Sequence, residues 1–349
     1  MKSFILSVGD EVVNDRYSRQ ELFLREKGSF TNKHVLLVGV GALGSALAEM
    51  LARAGVGHIT LIDRDYVDWT NLQRQQLFTE QHAKDRLPKA VAAKQRLEEI
   101  NSDIQITAIT ADAGPEELEE LINKQSPNLL LDGTDNFETR FMINDLSQKY
   151  HIPWIYGACV GSQGISFPII PGVGPCLHCL LDVLPAEGMT CDTTGVIAPA
   201  VQVTVAYQGA EALKILSGKL SDVRRELVAF DLWKNTFSSI RVASLRKKDC
   251  PSCGSQPHYP FLQKENQTRV AILCGRETVQ IRPPEGRSYQ LDELASLLQK
   301  QSIDVKSNGF LLSVKLHDYR IVLFQDGRML IHGMKEIAAA KKLYHQLLG

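Results

Sequence analysis

The sequence predicts an α/β fold: a doubly wound, mostly parallel sheet followed by a small α+β unit. Three observations carry this. Short apolar runs alternate with segments of helical spacing up to residue 157. A glycine-rich segment, Gly39-Val40-Gly41-Ala42-Leu43-Gly44, joins the first such run to the first helix. Beyond residue 160 the alternation stops, and a polar stretch at 254–269 separates a tail of different pattern.

Each element has its own reason. HVLLVG (34–39) is an uninterrupted apolar run ending in glycine, as a strand buried on both faces should be. ALGSALAEMLARAG (42–55) has helical spacing and a glycine stop. HITLID (58–63) reads as a strand, and LPKAVAAKQRLEEIN (87–101) as a helix with Pro88 in its first turn. IQITAI (104–109) and NLLLDG (128–133) are strands, with the helix PEELEELINK (115–124) between them. NFETRFMINDLSQKY (136–150) is a helix, and IPWIYG (152–157) closes the parallel series. ISFPIIPG suggests an edge strand, because proline cannot donate to a central ladder. Residues 195–218 form a long helix candidate, and LVAFDLW and FSSIRVASL read as antiparallel strands. In the tail, strands are expected near 270–274, 277–282 and 310–315. A hairpin turning at Asp326-Gly327 and the helices LDELASLLQ and EIAAAKKLYHQLLG complete it. The domain reading is 1–257 and 258–349.

Composition narrows the function. The 349 residues are 44% hydrophobic and 23% charged, an ordinary globular balance. A formal net charge of −1 gives no global attraction to nucleic acid or to an anionic membrane. No apolar run reaches the roughly 18 residues of a membrane span, and the start lacks a signal-peptide pattern. A cytoplasmic location is expected. Seven cysteines, an odd number, suit metal binding plus free thiols better than disulfides.

The glycine segment follows a GxGxxG pattern between strand and helix, a Rossmann-like phosphate loop in which glycines allow close backbone approach. Asp63 ends the next strand, where an acid can accept from a ribose. The loop alone is also compatible with a tight turn that binds nothing, and among ligand readings a nicotinamide-dependent oxidoreductase leads. The segment from Asp63 to Gln75 changes that order. Arg74 and Lys89 have the charge to flank a polyphosphate, and Asn71 can bond to one of its oxygens; the alternative is solvated surface charge. Asp135, just ahead of NFETRFMIND, suits a helix N-cap. Cys176-Leu-His-Cys179 and Cys250-Pro-Ser-Cys253 are two CxxC knuckles, the donor set of a closed structural zinc site. A redox CxxC is the weaker reading. Cys159 and Cys274 lie on apolar runs and read as core residues. Cys191 lies in GMTCDTTG (188–195), a loop expected to be exposed.

RYSRQ (16–20), GVGALG, DRDYVDWTNLQRQ, LPK (87–89), DGTDNFETR (132–140), CLHC, MTCDTTGV and CPSCG occur in the order found in the ThiF/MoeB/HesA family, prokaryotic relatives of ubiquitin-activating enzymes. The chain resembles that family over about residues 16–254. The DRDYVDW variant and the tail look most like its long, tail-bearing thiazole-biosynthesis branch. The resemblance implies an E1-like adenylation domain that uses ATP and Mg²⁺ to adenylylate the C-terminal glycine carboxylate of a ubiquitin-like sulfur carrier, ThiS-like or MoaD-like. It implies that Gly39, Gly41, Ala42, Gly44, Asp63, Asn71, Arg74, Gln75 and Lys89 bind the nucleotide. Asp135 matches the magnesium-linked aspartate. Arg140 either pairs with Asp135 or is structural. Arg19 matches an arginine that the second subunit of a homodimer inserts into the site. Cys191 matches a cysteine that can take the activated carrier covalently, though some relatives do without it. A cysteine desulfurase or another sulfur donor is an expected further partner. No general base is needed, because the attacking carboxylate is already ionised at neutral pH. The competing readings are MoeB-type activation of the molybdopterin synthase small subunit, the oxidoreductase, and a docking protein on a dead nucleotide fold. The tail is expected to bind or orient the carrier and to take no part in ATP chemistry.

Overall fold

The structure is a computed structural model that describes residues 16–26, 28, 30–112, 114–183, 194–263, 270–273, 278–282, 288–301 and 303–348. An eight-stranded sheet organises the first part. Its strands are β1 (His34–Val38), β2 (His58–Asp63), β3 (Gln105–Thr110), β4 (Leu129–Asp132), β5 (Trp154–Val160), β6 (Gln163–Ile169), β7 (Glu226–Asp231) and β8 (Thr236–Arg241). They lie in the order β3-β2-β1-β4-β5-β6-β7-β8. The pairs from β3 to β5 are parallel, and those from β5 to β8 antiparallel. The chain steps outward from β1 to β3 and then returns to the other side of β1. That reversal opens a crevice beyond the carboxyl ends of β1 and β4, where such sheets bind ligands.

Both faces of the sheet are covered, which is why its strands read as continuous apolar runs. Leu37 of β1 packs with Leu43, Leu47 and Leu51 of α2 (Ala42–Ala54), Leu97 of α4 (Lys89–Ile100) and Val205 of α7 (Ala198–Leu216). Leu36 and Val38 point the other way, toward Leu118 of α5 (Pro115–Gln125) and Ile143 and Leu146 of α6 (Phe137–Tyr150). A short α1 (Ser18–Leu24) and α3 (Glu80–Asp85) complete the layers. Gly55 ends α2 at φ 81, the left-handed cap that its sequence position suggests.

The tail is a six-stranded antiparallel sheet in the order β11-β12-β13-β14-β10-β9. These are β9 (Val270–Leu273), β10 (Thr278–Ile281), β11 (Asp304–Ser307), β12 (Leu311–Leu316), β13 (Tyr319–Phe324) and β14 (Met329–His332). Its helices, α8 (Leu291–Lys300) and α9 (Ile337–Leu348), cover one face with Ile321 and Leu323. The alternate residues Val322 and Phe324 face the first part of the chain and bury Tyr66.

Three local expectations are corrected. The strand containing Pro168 is interior, between β5 and β7. Proline is tolerated because the β7 pairing runs only from Gln163 to Ser166 and has ended before Pro168. Asp304–Ser307 forms a strand that its polar, mostly exposed residues did not announce. The stretch expected as linker is partly bound: Phe261 stacks on Phe141 of α6 at 4.9 Å, and its amide donates to Asp145 at 3.0 Å.

Candidate active site

The glycine loop and the turn after β4 meet backbone to backbone. Gly39 is held at φ 87, and a Cβ there would stand 2.8 Å from the Gly133 carbonyl. A Cβ on Gly133 would reach the Gly39 oxygen at 2.2 Å, so glycine is required on both sides. Gly41 opens α2 without a side-chain cap, which leaves first-turn amides for an anion.

Asp63 ends β2 beside this loop. One carboxylate oxygen accepts from the Val40 amide at 2.6 Å, the other from the Asp65 amide at 2.7 Å. Burial pushes its carboxyl up, while Lys89 and the two amides pull it down; the net direction is upward. Lys89 is buried and pairs with Asp65 at 3.1 Å. Its amide also donates to the Asp65 carbonyl at 2.9 Å, so the turn after β2 is tied to the start of α4. Pro88 stands one place earlier than expected, at the N-cap of that helix.

Asn71 and Gln75 are buried near this turn, at 0% and 3% exposure. Asn71 Oδ1 accepts from the Asp68 amide, but its Nδ2 has no partner among the described residues, and neither has Gln75 Oε1. An orphaned buried donor costs about 1–3 kcal/mol, and a phosphate oxygen would satisfy it. Asn71 Nδ2 therefore fits a polyphosphate oxygen, whereas Gln75 Oε1, an acceptor, fits a hydroxyl or amino group of a ligand. Arg74 is half-buried and donates to the Thr70 carbonyl at 2.8 Å.

Asp135 is exposed in the turn between β4 and α6. The N-cap alternative is corrected: Asn136 caps α6, its Oδ1 accepting from the Thr139 amide at 2.8 Å. Arg140 does not hydrogen-bond Asp135. It pairs with buried Asp132 at 2.9 Å and donates to the carbonyls of Thr134 and Gly157. Asp132 in turn accepts from the Thr134 amide and hydroxyl. That clamp fixes the turn presenting Asp135. Sequence reasoning missed Asp132, Asp65 and Arg64, although a strand ending in aspartate beside a GT turn was a usable signal.

Arg19 is exposed on α1 and is not brought to this crevice. Gln20 donates to the Ala54 carbonyl at the far end of α2. Thirteen helical residues separate that end from the glycine loop, about 20 Å at the usual rise. Cys191 and Cys274 lie outside the described residues. Cys159 is buried on β5.

The four knuckle cysteines converge. Their sulfurs lie within 4.8 Å of one another, with Cys176–Cys250 and Cys179–Cys253 at 3.5 Å. Sulfurs about 2.3 Å from a tetrahedral zinc stand about 3.8 Å apart, so the set fits that ion. Buried Asp145 of α6 braces both knuckles: it accepts from Ser252 Oγ and faces His178 Nε2 at 3.5 Å. Asn144 Oδ1 accepts from the Leu177 amide at 2.9 Å.

A family model described as "ThiF family" matches residues 17–252. The chain is 50% identical over 338 residues to the sulfur carrier protein ThiS adenylyltransferase of Bacillus subtilis, covering 96% of this chain and 99% of that one. It is 34% identical to the molybdopterin-synthase adenylyltransferase of Escherichia coli, over 68% of this chain and 96% of that one. Among solved structures, E. coli MccB aligns with a TM-score of 0.60 at 22% identity, covering 71% and 75% of the two chains, a likeness of fold.

Proposed function

The chain belongs to the ThiF family, and from that premise we propose how it works as an adenylyltransferase of a ubiquitin-like sulfur carrier of the ThiS kind. The carrier's C-terminal glycine carboxylate attacks the α-phosphorus of ATP. The new carboxyl–phosphate bond forms as the bond to pyrophosphate breaks, giving an acyl adenylate and pyrophosphate. The observation that supports the nucleotide reading most is the buried, orphaned donor Asn71 Nδ2, together with the uncapped start of the glycine-loop helix.

In this reading Asp63 accepts from the ribose, and its bond to the Val40 amide sets the loop. Asn71, Arg74 and Lys89 meet the triphosphate, and Gln75 Oε1 accepts from a hydroxyl or amino group of the nucleotide. Two anions must approach each other, and cations at fixed positions lower that barrier without reorganising. Asp135 would hold Mg²⁺, which neutralises phosphate charge when bound. The four cysteines would hold one Zn²⁺, a structural staple with no step of its own. Arg19 completes the site of the other subunit in a homodimer, since its own crevice lies beyond reach. Mixing Arg19→Ala chains with Asp135→Ala chains should recover about a quarter of wild-type sites, as random pairing of a symmetric dimer requires. No recovery in a verified heterodimer would place Arg19 outside the reaction.

The molybdopterin branch shares this chemistry, and the identity of 50% against 34% favours the ThiS side. ATP–pyrophosphate exchange with purified carriers tests the reading. Exchange is expected with a ThiS-type carrier ending in Gly-Gly and lost when its last glycine is removed. Exchange only with a MoaD-type carrier would move the chain to the other pathway, and exchange with neither would end the proposal.

A further inference from the structure

The sequence reading sets the tail apart from ATP chemistry, yet the tail grips the turn that carries Asp63. Arg328, 1% exposed, donates from Nη1 to the Arg64 carbonyl at 2.8 Å. Its Nη2 is buried without a partner among the described residues. Gln280 Nε2 donates to Asp112 Oδ2 at 2.5 Å, and Arg282 pairs with the same oxygen. The other oxygen of Asp112 faces Arg64 Nη1 at 3.4 Å. Tyr66 lies buried against Leu311, Val322, Phe324 and Leu330, and its hydroxyl meets His332 Nε2 at 3.0 Å and Arg320 Nη2 at 3.1 Å.

These contacts converge on one short turn from two directions. On its inner side Asp63 and Asp65 are bound to Val40 and Lys89. On its outer side Arg64, Tyr66 and the neighbouring Asp112 are bound to strands β10, β13 and β14 or to the residues next to them. The electrostatics agree. Burial alone would push the Asp112 carboxyl up, but Arg64, Arg282 and Arg328 outweigh it and hold it below the usual range. Burial likewise disfavours the Arg64 charge, which Asp112 first and then Asp65, Asp135 and Asp63 restore. The buried Arg328 guanidinium pairs with Asp326 of its own hairpin at 3.1 Å and in addition reaches the Arg64 carbonyl, a bond that covering an apolar face alone would not require.

We propose that the C-terminal sheet is a positioning element of the nucleotide site: Arg328, and Asp112 bridging Arg282 to Arg64, hold the Asp63–Asp65 turn in the register that binds ATP. The inference rests on the nucleotide reading above and adds to it Asp112, Arg282 and Arg328 as positioning residues. Arg64 is the link between them and the carboxylates. A tail that only docked the carrier would not need its buried cations at the ribose turn.

Steady-state kinetics on the full-length protein separate the possibilities. Arg282→Ala changes a partly exposed side chain and should fold. It should raise the KM for ATP about tenfold, leaving the KM for the carrier and kcat within about twofold. Arg328→Ala should do the same more strongly, and Arg328→Lys should recover part of the loss by restoring a donor to the Arg64 carbonyl. Direct titration of wild-type protein with ATP is the control for the underlying reading: no binding there removes the nucleotide site itself. Given wild-type binding, an unchanged KM for ATP in folded Arg282→Ala overturns the positioning role. An equal rise in the KM for ATP and for the carrier overturns it as well.

Discussion

The knuckle and the crevice handle their polar groups in opposite ways. At the knuckle four sulfurs from two distant segments already stand at metal-binding spacing, mostly buried and braced from behind by Asp145. At the crevice the polar groups are engaged locally or left unmatched. Lys89 is spent on Asp65, Asp63 on two backbone amides, Asn71 and Gln75 carry unmatched atoms, and Asp135 faces outward. A structural site is finished when the chain has folded, whereas a reacting site keeps unfinished bonds for its substrate. Stability and activity should therefore separate cleanly between the two regions.

The largest effect expected is on Asp135. Because it is exposed and does not cap α6, Asp135→Ala should leave the melting temperature unchanged while lowering carrier adenylylation by about a thousandfold or more. Full pyrophosphate exchange in that variant would break the comparison at its catalytic end. Arg74→Ala and Lys89→Ala come next. Each should reduce ATP use by roughly a hundredfold, since a fixed charge of this kind supplies about 3 kcal/mol. The two should differ in stability: Lys89→Ala removes the buried ion pair with Asp65 and lowers the melting temperature, whereas Arg74→Ala does not.

Cys176→Ser tests the other end. One zinc per chain is expected by elemental analysis, and the variant should lose it together with several degrees of melting temperature. Wild-type thermal stability without metal would refute the staple. The smallest effect lies at the opposite end of the sheet. Burial and then the neighbouring His58 push His34 down to about 4, and the two rings stack at 4.0 Å. The folded state keeps His34 neutral, while the unfolded chain takes up the proton near 6.5. Stability should thus fall as pH drops from 6.5 toward 4. His34→Gln should flatten that slope in a pH series of melting curves without touching ATP binding at neutral pH.

What the sequence made legible was local. The glycine loop, the two CxxC pairs and the aspartate ending β2 each lie within a few residues, so their spacing alone carries the chemistry. The parallel strands were readable because burial on both faces removes polar residues from them. Tyr66 and Arg64 were not readable as anchors, since their partners lie 266 and 264 residues away. Asp112 carries no local signal for the same reason, its partners Gln280 and Arg282 lying 168 and 170 residues away. Pro168 misled because propensity describes a strand's average neighbour, not where a particular ladder ends. Asp135 was assigned two roles by pattern, and only the cap geometry of Asn136 removed one of them.

Asp145 also has a consequence for how the molecule is made. Its described partners, His178, Ser252 and Phe261, all come later in the chain, the last two by 107 and 116 residues. During synthesis the helix carrying it emerges with the parallel strands, which have what they need to assemble. One face of that helix must wait, with a carboxylate in it, until the second knuckle has left the ribosome. Cys250, Cys253 and Phe261 then arrive almost together and seal it in one event, which under the zinc reading proposed above also takes up the metal. Zinc supply should therefore govern how many newly made chains are completed. Chains interrupted before residue 253 should expose this face to proteases, while their first sheet is already formed.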